Sequence, residues 1–486
     1  MYQTSELFIG GEWVAPGGGL SPLISPHTET RIATAPMANP ADVDRAVWAA
    51  RAAFDTGPWP RTPPSERLEV VRRLAALYKQ RRGEMAELIS AEIGAPITFA
   101  EQAQVGVASF ALSAIRRIAE SYEWVEHRPG FYGRDITVAK RPVGVIAAVV
   151  PWNMPQFLMI VKTVPALLAG CAVVLKPAPE SPLDALLFAE LAAEAGLPDG
   201  VLNVIPGDGD VGARLVGHPG VDKVSFTGST ASGRAVAQAC AAGLKPVSLE
   251  LGGKSAAVVL DDADPERVAE GICRASLANS GQVCNALSRV LVPANRAQHY
   301  IDALASALGA LAVGDPADRG TEIGPLVAQR QQHRVRDYIE DGQRRGAKLV
   351  VGGAELPEGI DRGWYVRPTL FSDVDNDMRI AREEIFGPVL TVLTYTDEDE
   401  AVAIAEDSEY GLAGAVFTDD IDRGLAVAAR VRTGSFGINE GYIMDPFAPY
   451  GGVKTSGYGR ELGKEGLDGY LVTQSISRAA QPVRTT

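Results

Sequence analysis

The chain has 486 residues, with 60 acidic against 46 basic side chains and a net charge of −14. That length exceeds one hydrophobic core and suggests about three units at roughly 150 residues each. The acidic balance disfavours nucleic acid and anionic membrane as partners. No apolar run approaches the ~20 residues of a membrane span, and no clustered Cys/His spacing suggests a metal site.

The first residues, Met1-Tyr2-Gln3-Thr4-Ser5-Glu6, lack a basic stretch followed by an apolar one. A cytoplasmic location with reduced thiols is therefore expected. Around Gly10-Gly11 the pattern predicts a hairpin. Helical periodicity runs from 41 to 88, and a second long helix is predicted over 97–121. Residues 122–141 alternate like strands.

The middle is α/β. Apolar runs at 143–150, 172–175, 200–205 and 223–226 read as buried parallel strands. Helices predicted at 156–169, 181–195 and 208–217 separate them, which implies βαβ crossovers and a doubly wound sheet. A second α/β unit starts near 252. It has strands at 255–260, 288–292 and 388–394, and helices at 264–279, 295–310 and 331–345. From 435 onward, glycine, proline and aromatic residues read as loops lining a site.

Several strings carry chemistry. Phe226-Thr227-Gly228-Ser229-Thr230-Ala231-Ser232-Gly233 follows a strand and opens a helix. Its free N–H groups suit a phosphate, or the string is only a tight turn. Asn153 ends the first apolar strand, where an amide could donate to an oxyanion or cap the next helix. Lys176 ends the second, placed to hold ribose hydroxyls or a phosphate, or to sit at a surface turn.

Cys284 follows Asn279-Ser280-Gly281-Gln282-Val283, small and polar residues that can present a thiol. Thirty-four positions earlier, Glu250 lies between apolar residues, either ion-paired or raised in pKa for work as a base. Cys171, Cys240 and Cys273 read as packing.

Seven strings keep one order: Pro151-Trp152-Asn153; Lys176-Pro177; Phe226 to Thr230; Glu250-Leu251-Gly252-Gly253-Lys254; Gly281-Gln282-Val283-Cys284; Glu383-Glu384-Ile385-Phe386-Gly387-Pro388; and Gly451 to Glu461. Together they resemble the aldehyde dehydrogenase superfamily over about residues 7–475.

The resemblance implies that Cys284 attacks an aldehyde carbon. Asn153 and the Cys284 backbone N–H would hold the oxyanion, hydride would pass to a nicotinamide, and Glu250 would activate water against the resulting thioester. Lys162 and Glu461 match positions linked to proton relay. Lys176 and Glu384 match ribose-holding residues, and Phe386 and Trp152 line the nicotinamide site. Gly209, Phe226, Gly228, Ser229 and Gly233 fit the cofactor crevice.

The resemblance further implies an α/β fold in three parts. These are a Rossmann-like dinucleotide-binding domain (1–121 and 142–251), a catalytic domain (252–455) and an oligomerisation flap with tail (122–141 and 456–486). A homodimer or homotetramer follows. The cofactor expected is NAD, with NADP open, because Pro179 replaces the glutamate common in NAD-preferring members and Glu180 stands next to it. By position, Met154, Phe157, Leu158, Val161, Val283, Met444 and Tyr450 would line the substrate tunnel. They are mostly apolar, so the expected substrate is an uncharged aliphatic, terpenoid or aromatic aldehyde. The alternatives weighed are a coenzyme A-acylating relative, which tends to lack Glu250, and a cofactor-independent thiol esterase, for which no histidine lies near any motif.

Overall fold

A computed structural model describes residue 2 and residues 4–479. Its first sheet has eight strands, in the order Gly457–Tyr458, Val247–Glu250, Lys223–Thr227, Val145–Val149, Ala172–Lys176, Leu202–Val204, Leu7–Ile9, Glu12–Val14. The five central strands run parallel. All five residues of Val145–Val149 are buried, so both faces must be covered by helices. One cover is the Pro155–Ala169 helix, which opens with proline at its first turn and stops at Gly170 with φ 95°.

The chain runs from Val145–Val149 out through Ala172–Lys176 to Leu202–Val204, then returns to Lys223–Thr227 on the other flank of Val145–Val149. That reversal is the switch point where doubly wound sheets hold ligands, outside the carboxyl ends of the strands.

The second sheet has seven strands in the order Lys348–Val351, Thr369–Ser372, Val389–Tyr395, Arg289–Pro293, Ala256–Val259, Ala413–Phe417, Ser435–Ile438. A three-stranded antiparallel sheet joins Val125–Pro129, Asp135–Pro142 and Leu471–Arg478. Among the described residues no helix is long and apolar enough to cross a membrane, and all four cysteines are free.

Three expectations need correction. The stretch from 435 is not all loop. It contains Ser435–Ile438, Gly457–Tyr458, the Gly463–Asp468 helix and Leu471–Arg478. The first three are too short or too glycine-rich to show a period, and the eight-residue Leu471–Arg478 is exposed along nearly its whole length, so it presents no apolar face. The expected flap and tail of 456–486 divides, because Gly457–Tyr458 pairs with Leu249 and Glu250 in the eight-stranded sheet. Residues 480–486 lie outside the described residues. The predicted helix over 97–121 contains a π segment, Ala100–Gly106, between Ile97–Phe99 and Val107–Glu120.

A buried carboxyl pair braces the first unit. Glu92 Oε1 accepts from the Leu183 backbone N–H at 2.9 Å, and Asp184 Oδ2 accepts from Gln156 Nε2 at 2.9 Å. Asp184 Oδ1 and Gln156 Oε1 are buried acceptors without donors. Burial pushes Asp184 up to about 7, and burial together with Asp184 pushes Glu92 well above the carboxylate range. A protonated Asp184 supplies the donor that this group of acceptors lacks.

Both folded-state pKa values lie above the unfolded ones, so the folded chain binds more protons than the unfolded one once pH exceeds about 4. The Asp184 share of the stabilisation is complete below that pH and is lost as pH rises through about 7. Asp184→Asn keeps a permanent donor. It is expected to melt a few degrees above wild type at pH 8, with the gap closing by pH 5. Scanning calorimetry at the two pH values checks this, and a pH-independent gap would refute it.

Candidate active site

The residues expected at the cofactor crevice gather at the switch point. Trp152 and Asn153 extend the Val145–Val149 strand, Lys176 ends its neighbour, and Gly228 and Ser229 follow Lys223–Thr227. Two helix N-termini sit at this edge. Asp208 caps Gly209–Gly217, and Ser229 caps Thr230–Ala242 through Ser232 N at 3.2 Å. Such ends carry free N–H groups and positive potential. A Cβ on Gly209 would meet nothing within 4 Å, so the first helix end faces open space.

At Gly228 and Gly233 added side chains would instead collide, with the Phe226 ring and with Leu251 respectively. These two glycines therefore serve close packing of strand, turn and helix. Thr227 Oγ1 is buried without a partner.

Lys176 Nζ donates to the carbonyls of Gly207 (2.6 Å) and Pro177 (2.8 Å), and burial brings it down to about 8. Glu384 Oε1 accepts from Gly253 N at 3.2 Å, and burial raises it to about 7. Trp152 and Phe386 meet edge to face, with ring centroids 5.5 Å apart. Phe386 holds φ 62° while Gln331 Nε2 donates to its carbonyl at 2.7 Å. Glu180, beside Pro179, is ion-paired with Arg330.

Cys284 follows three successive left-handed residues, Asn279 (φ 51°), Ser280 (φ 57°) and Gly281 (φ 76°). Left-handed backbone is costly for residues other than glycine. Here side chains hold it: Asn279 Nδ2 donates to Asn153 O (2.9 Å), Ser280 Oγ to Gly324 O (2.8 Å) and Gln282 Nε2 to Asn279 O (3.0 Å). Gly281 has no room for a Cβ, which would strike the Gly387–Pro388 backbone.

Asn153 is 4% exposed. Its Nδ2 donates one hydrogen to Gln282 O at 3.0 Å, leaving a second for another acceptor. Its carbonyl also accepts from Gln104 Nε2 at 2.7 Å. Gln104 belongs to the π segment, the kind of helical irregularity that re-aims side chains at functional positions. Cys284 Sγ lies 3.7 Å from the Tyr450 hydroxyl, and burial pushes the thiol up to about 12.

Glu250 ends the Val247–Glu250 strand and is 4% exposed, with neither carboxylate oxygen partnered. A Cβ on Gly451 would sit 2.7 Å from Oε1, so the loop glycine gives the carboxylate its room. Burial first, then the negative field of Glu461, raises Glu250 well above the usual range, while Lys162 and Arg460 oppose that rise. Lys162 is ion-paired with Glu461, both buried, with Ser225 Oγ at 3.4 Å. Thus Glu250, Lys162 and Glu461 share one buried electrostatic group, and Glu250 also acts on the Cys284 thiol.

A cavity of about 490 Å³ is lined by both Asn153 and Cys284, a size ordinary for a small-molecule site. Met154, Phe157, Leu158, Val283, Met444 and Tyr450 line it as expected. Val161 does not, being 1% exposed where the Pro155–Ala169 helix packs into the core. Its place follows from the helix turn it occupies, which position along the string does not reveal. Sequence reasoning missed Phe99, Ala103 and Val107, which the π-containing helix brings to the cavity, and Tyr442, stacked on Tyr450 at 6.1 Å. An apolar stripe at 99, 103 and 107 was the available signal. Among the described residues no group of three or more His, Cys, Asp or Glu could hold a metal ion.

A protein-family model described as the aldehyde dehydrogenase family matches residues 13–476. Geranial dehydrogenase of Castellaniella defragrans is 47% identical over 475 residues, covering 97% of this chain and 98% of that protein. The 3-succinoylsemialdehyde-pyridine dehydrogenase of a Pseudomonas species is 42% identical, over 98% and 99%. Among solved structures, an aldehyde dehydrogenase of Mycobacterium tuberculosis in complex with NAD+ superposes with a TM-score of 0.96 at 44% identity, covering 100% of this chain and 99% of that one. A cysteine-to-alanine mutant of aldehyde dehydrogenase C from Pseudomonas syringae, complexed with NAD+ and octanal, gives 0.94 at 43% identity over 97% and 96%. The chain therefore belongs to the aldehyde dehydrogenase family and is an oxidoreductase acting on aldehydes.

Proposed function

We propose that the enzyme oxidises uncharged, apolar aldehydes to carboxylic acids with NAD, using Cys284 as the nucleophile. The observation that carries this reading is a single thiol lining a mostly apolar cavity together with an amide that has a spare hydrogen, in the field of a buried carboxylate with no partner. The residues also fit a dinucleotide. Lys176 and Glu384 would hold its riboses, the helix ends at Gly209 and Thr230 its phosphates, and Trp152 with Phe386 its nicotinamide. When bound, NAD supplies the hydride acceptor.

The Cys284 sulfur adds to the carbonyl carbon, and the carbonyl electrons move onto oxygen. Asn153 Nδ2 and the Cys284 backbone N–H hold that oxyanion. Burial holds the thiol's pKa up at about 12, so its proton leaves to water as the S–C bond forms, and Glu250, with its raised basicity, is kept for the second half-reaction. As the carbonyl re-forms, hydride leaves the carbon and a thioester remains on sulfur. Glu250 then removes a proton from water, which attacks the thioester. The acid departs, and the proton passes toward the Lys162–Glu461 pair.

Asn153→Ala should lower kcat by about 10²–10³-fold, the usual cost of one oxyanion donor. Steady-state rates with octanal read this out, and a loss under threefold would remove Asn153 from that role. A panel of geranial, octanal, benzaldehyde, succinic semialdehyde and betaine aldehyde tests the substrate class. The apolar members should lead in kcat/KM, as the geranial dehydrogenase relative and the octanal-bound neighbour suggest; a lead by either of the last two would overturn the reading. Running the panel with NAD and NADP tests the cofactor. NAD should lead, and a lead by NADP would reverse the assignment.

A further inference from the structure

A second cleft, of about 1290 Å³, begins where the cavity above Cys284 opens. Phe99, Glu270, Arg274 and Ala278 line both. It runs between the helices Pro265–Ser276 and Ala297–Ala310. Its floor is apolar: Ala269, Cys273 and Leu277 recur every fourth residue along one side, and Ala303 and Ala307 do the same on the other. The alanines leave the groove open where larger side chains would close it. The first three floor residues are buried, and the two alanines opposite are half-buried. Seven charged side chains also line the cleft, and the two at the junction, Glu270 and Arg274, are exposed and paired with each other across one helical turn. A pair so exposed is worth little and offers little resistance to a passing chain.

We infer that this groove receives the distal hydrocarbon of aldehydes too long for the inner cavity, making long-chain and polyprenyl aldehydes the extended substrate class. Continuity with the cavity above Cys284 and the small-residue floor select this occupant over a peptide or a second copy of the chain. The inference rests on the aldehyde-oxidising assignment of that cavity. The aldehyde carbon stays at Cys284, the proximal chain fills the tunnel, and the remainder bends over Ala278 and Phe99 onto the floor. Each methylene so buried is worth about fourfold in kcat/KM.

The test measures kcat/KM for butanal, octanal, dodecanal and hexadecanal in wild type, Ala307→Trp and Ser306→Trp. Ser306 is an exposed position on the same wall, so its variant guards against misfolding of the other. Wild type should gain from octanal to hexadecanal. Both variants should keep butanal and octanal within twofold and lose at least tenfold on hexadecanal. Parallel losses at every length, an unchanged hexadecanal rate, or a changed oligomeric state with an unchanged length profile would each overturn the groove as a chain subsite. Absence of turnover with every aldehyde in wild type would instead refute the underlying assignment.

Discussion

Cys284→Ala is expected to abolish aldehyde-dependent reduction of NAD, with kcat down by at least about 10⁴-fold, the scale on which loss of a covalent nucleophile is felt. No other group can take over. Cys171, Cys240 and Cys273 are buried away from the cavity above Asn153. The Tyr450 hydroxyl, though near, is itself driven well above its usual pKa by burial. The substitution removes only one sulfur from a half-buried position, so the melting temperature should hold within a few degrees. Nucleotide binding, followed by quenching of the Trp152 fluorescence, should survive. A variant that still turns over above one part in a hundred of the wild-type rate would exclude covalent attack by this thiol.

Glu250→Gln is the second large effect, and its shape matters more than its size. Glutamine keeps the volume and one acceptor but cannot take a proton. The first half-reaction should still deliver reduced cofactor, about one equivalent per active site, as a rapid burst. Hydrolysis of the thioester should then limit turnover, with the steady-state rate falling by about 10²–10⁴-fold, the usual contribution of a general base. Stopped-flow absorbance of the reduced nicotinamide separates the two phases. If the steady state is unchanged, Glu250 is not the deacylation base. If coenzyme A restores turnover to the variant, a thiol acceptor can replace water. Wild type accelerated by coenzyme A would place the enzyme in the acylating branch.

Much of this was legible in the chain. The four apolar runs from 143 to 226 could only be strands covered on both faces, and their alternation with helices implied the crossovers. The Asn153, Glu250 and Cys284 strings named side chains that the fold does bring to one cavity and one electrostatic group. What stayed hidden has physical reasons. Strands such as Thr369–Ser372 and Ala413–Phe417 are short and wholly buried, so they show no alternation to distinguish them from helix or loop. Val161 was misplaced because the face a helix turns inward depends on its neighbours. The π segment has no signature at all, yet it sets the Gln104 carboxamide on the Asn153 carbonyl. A registry slip of that kind arises from packing between distant segments, and no local pattern encodes it.

The left-handed turn ahead of Cys284 has a consequence for biosynthesis. Its backbone is held by bonds reaching out of its own segment, from Asn279 to Asn153 in the first α/β unit and from Ser280 to Gly324 in the second. A nascent chain with only one unit formed lacks part of that clamp, and the peptide there would relax to an ordinary extended form. The thiol then stands without its donor, its neighbouring carboxylate or its walls. The geometry that would make the thiol reactive is thus shared between the two units, and neither one alone supplies all of it.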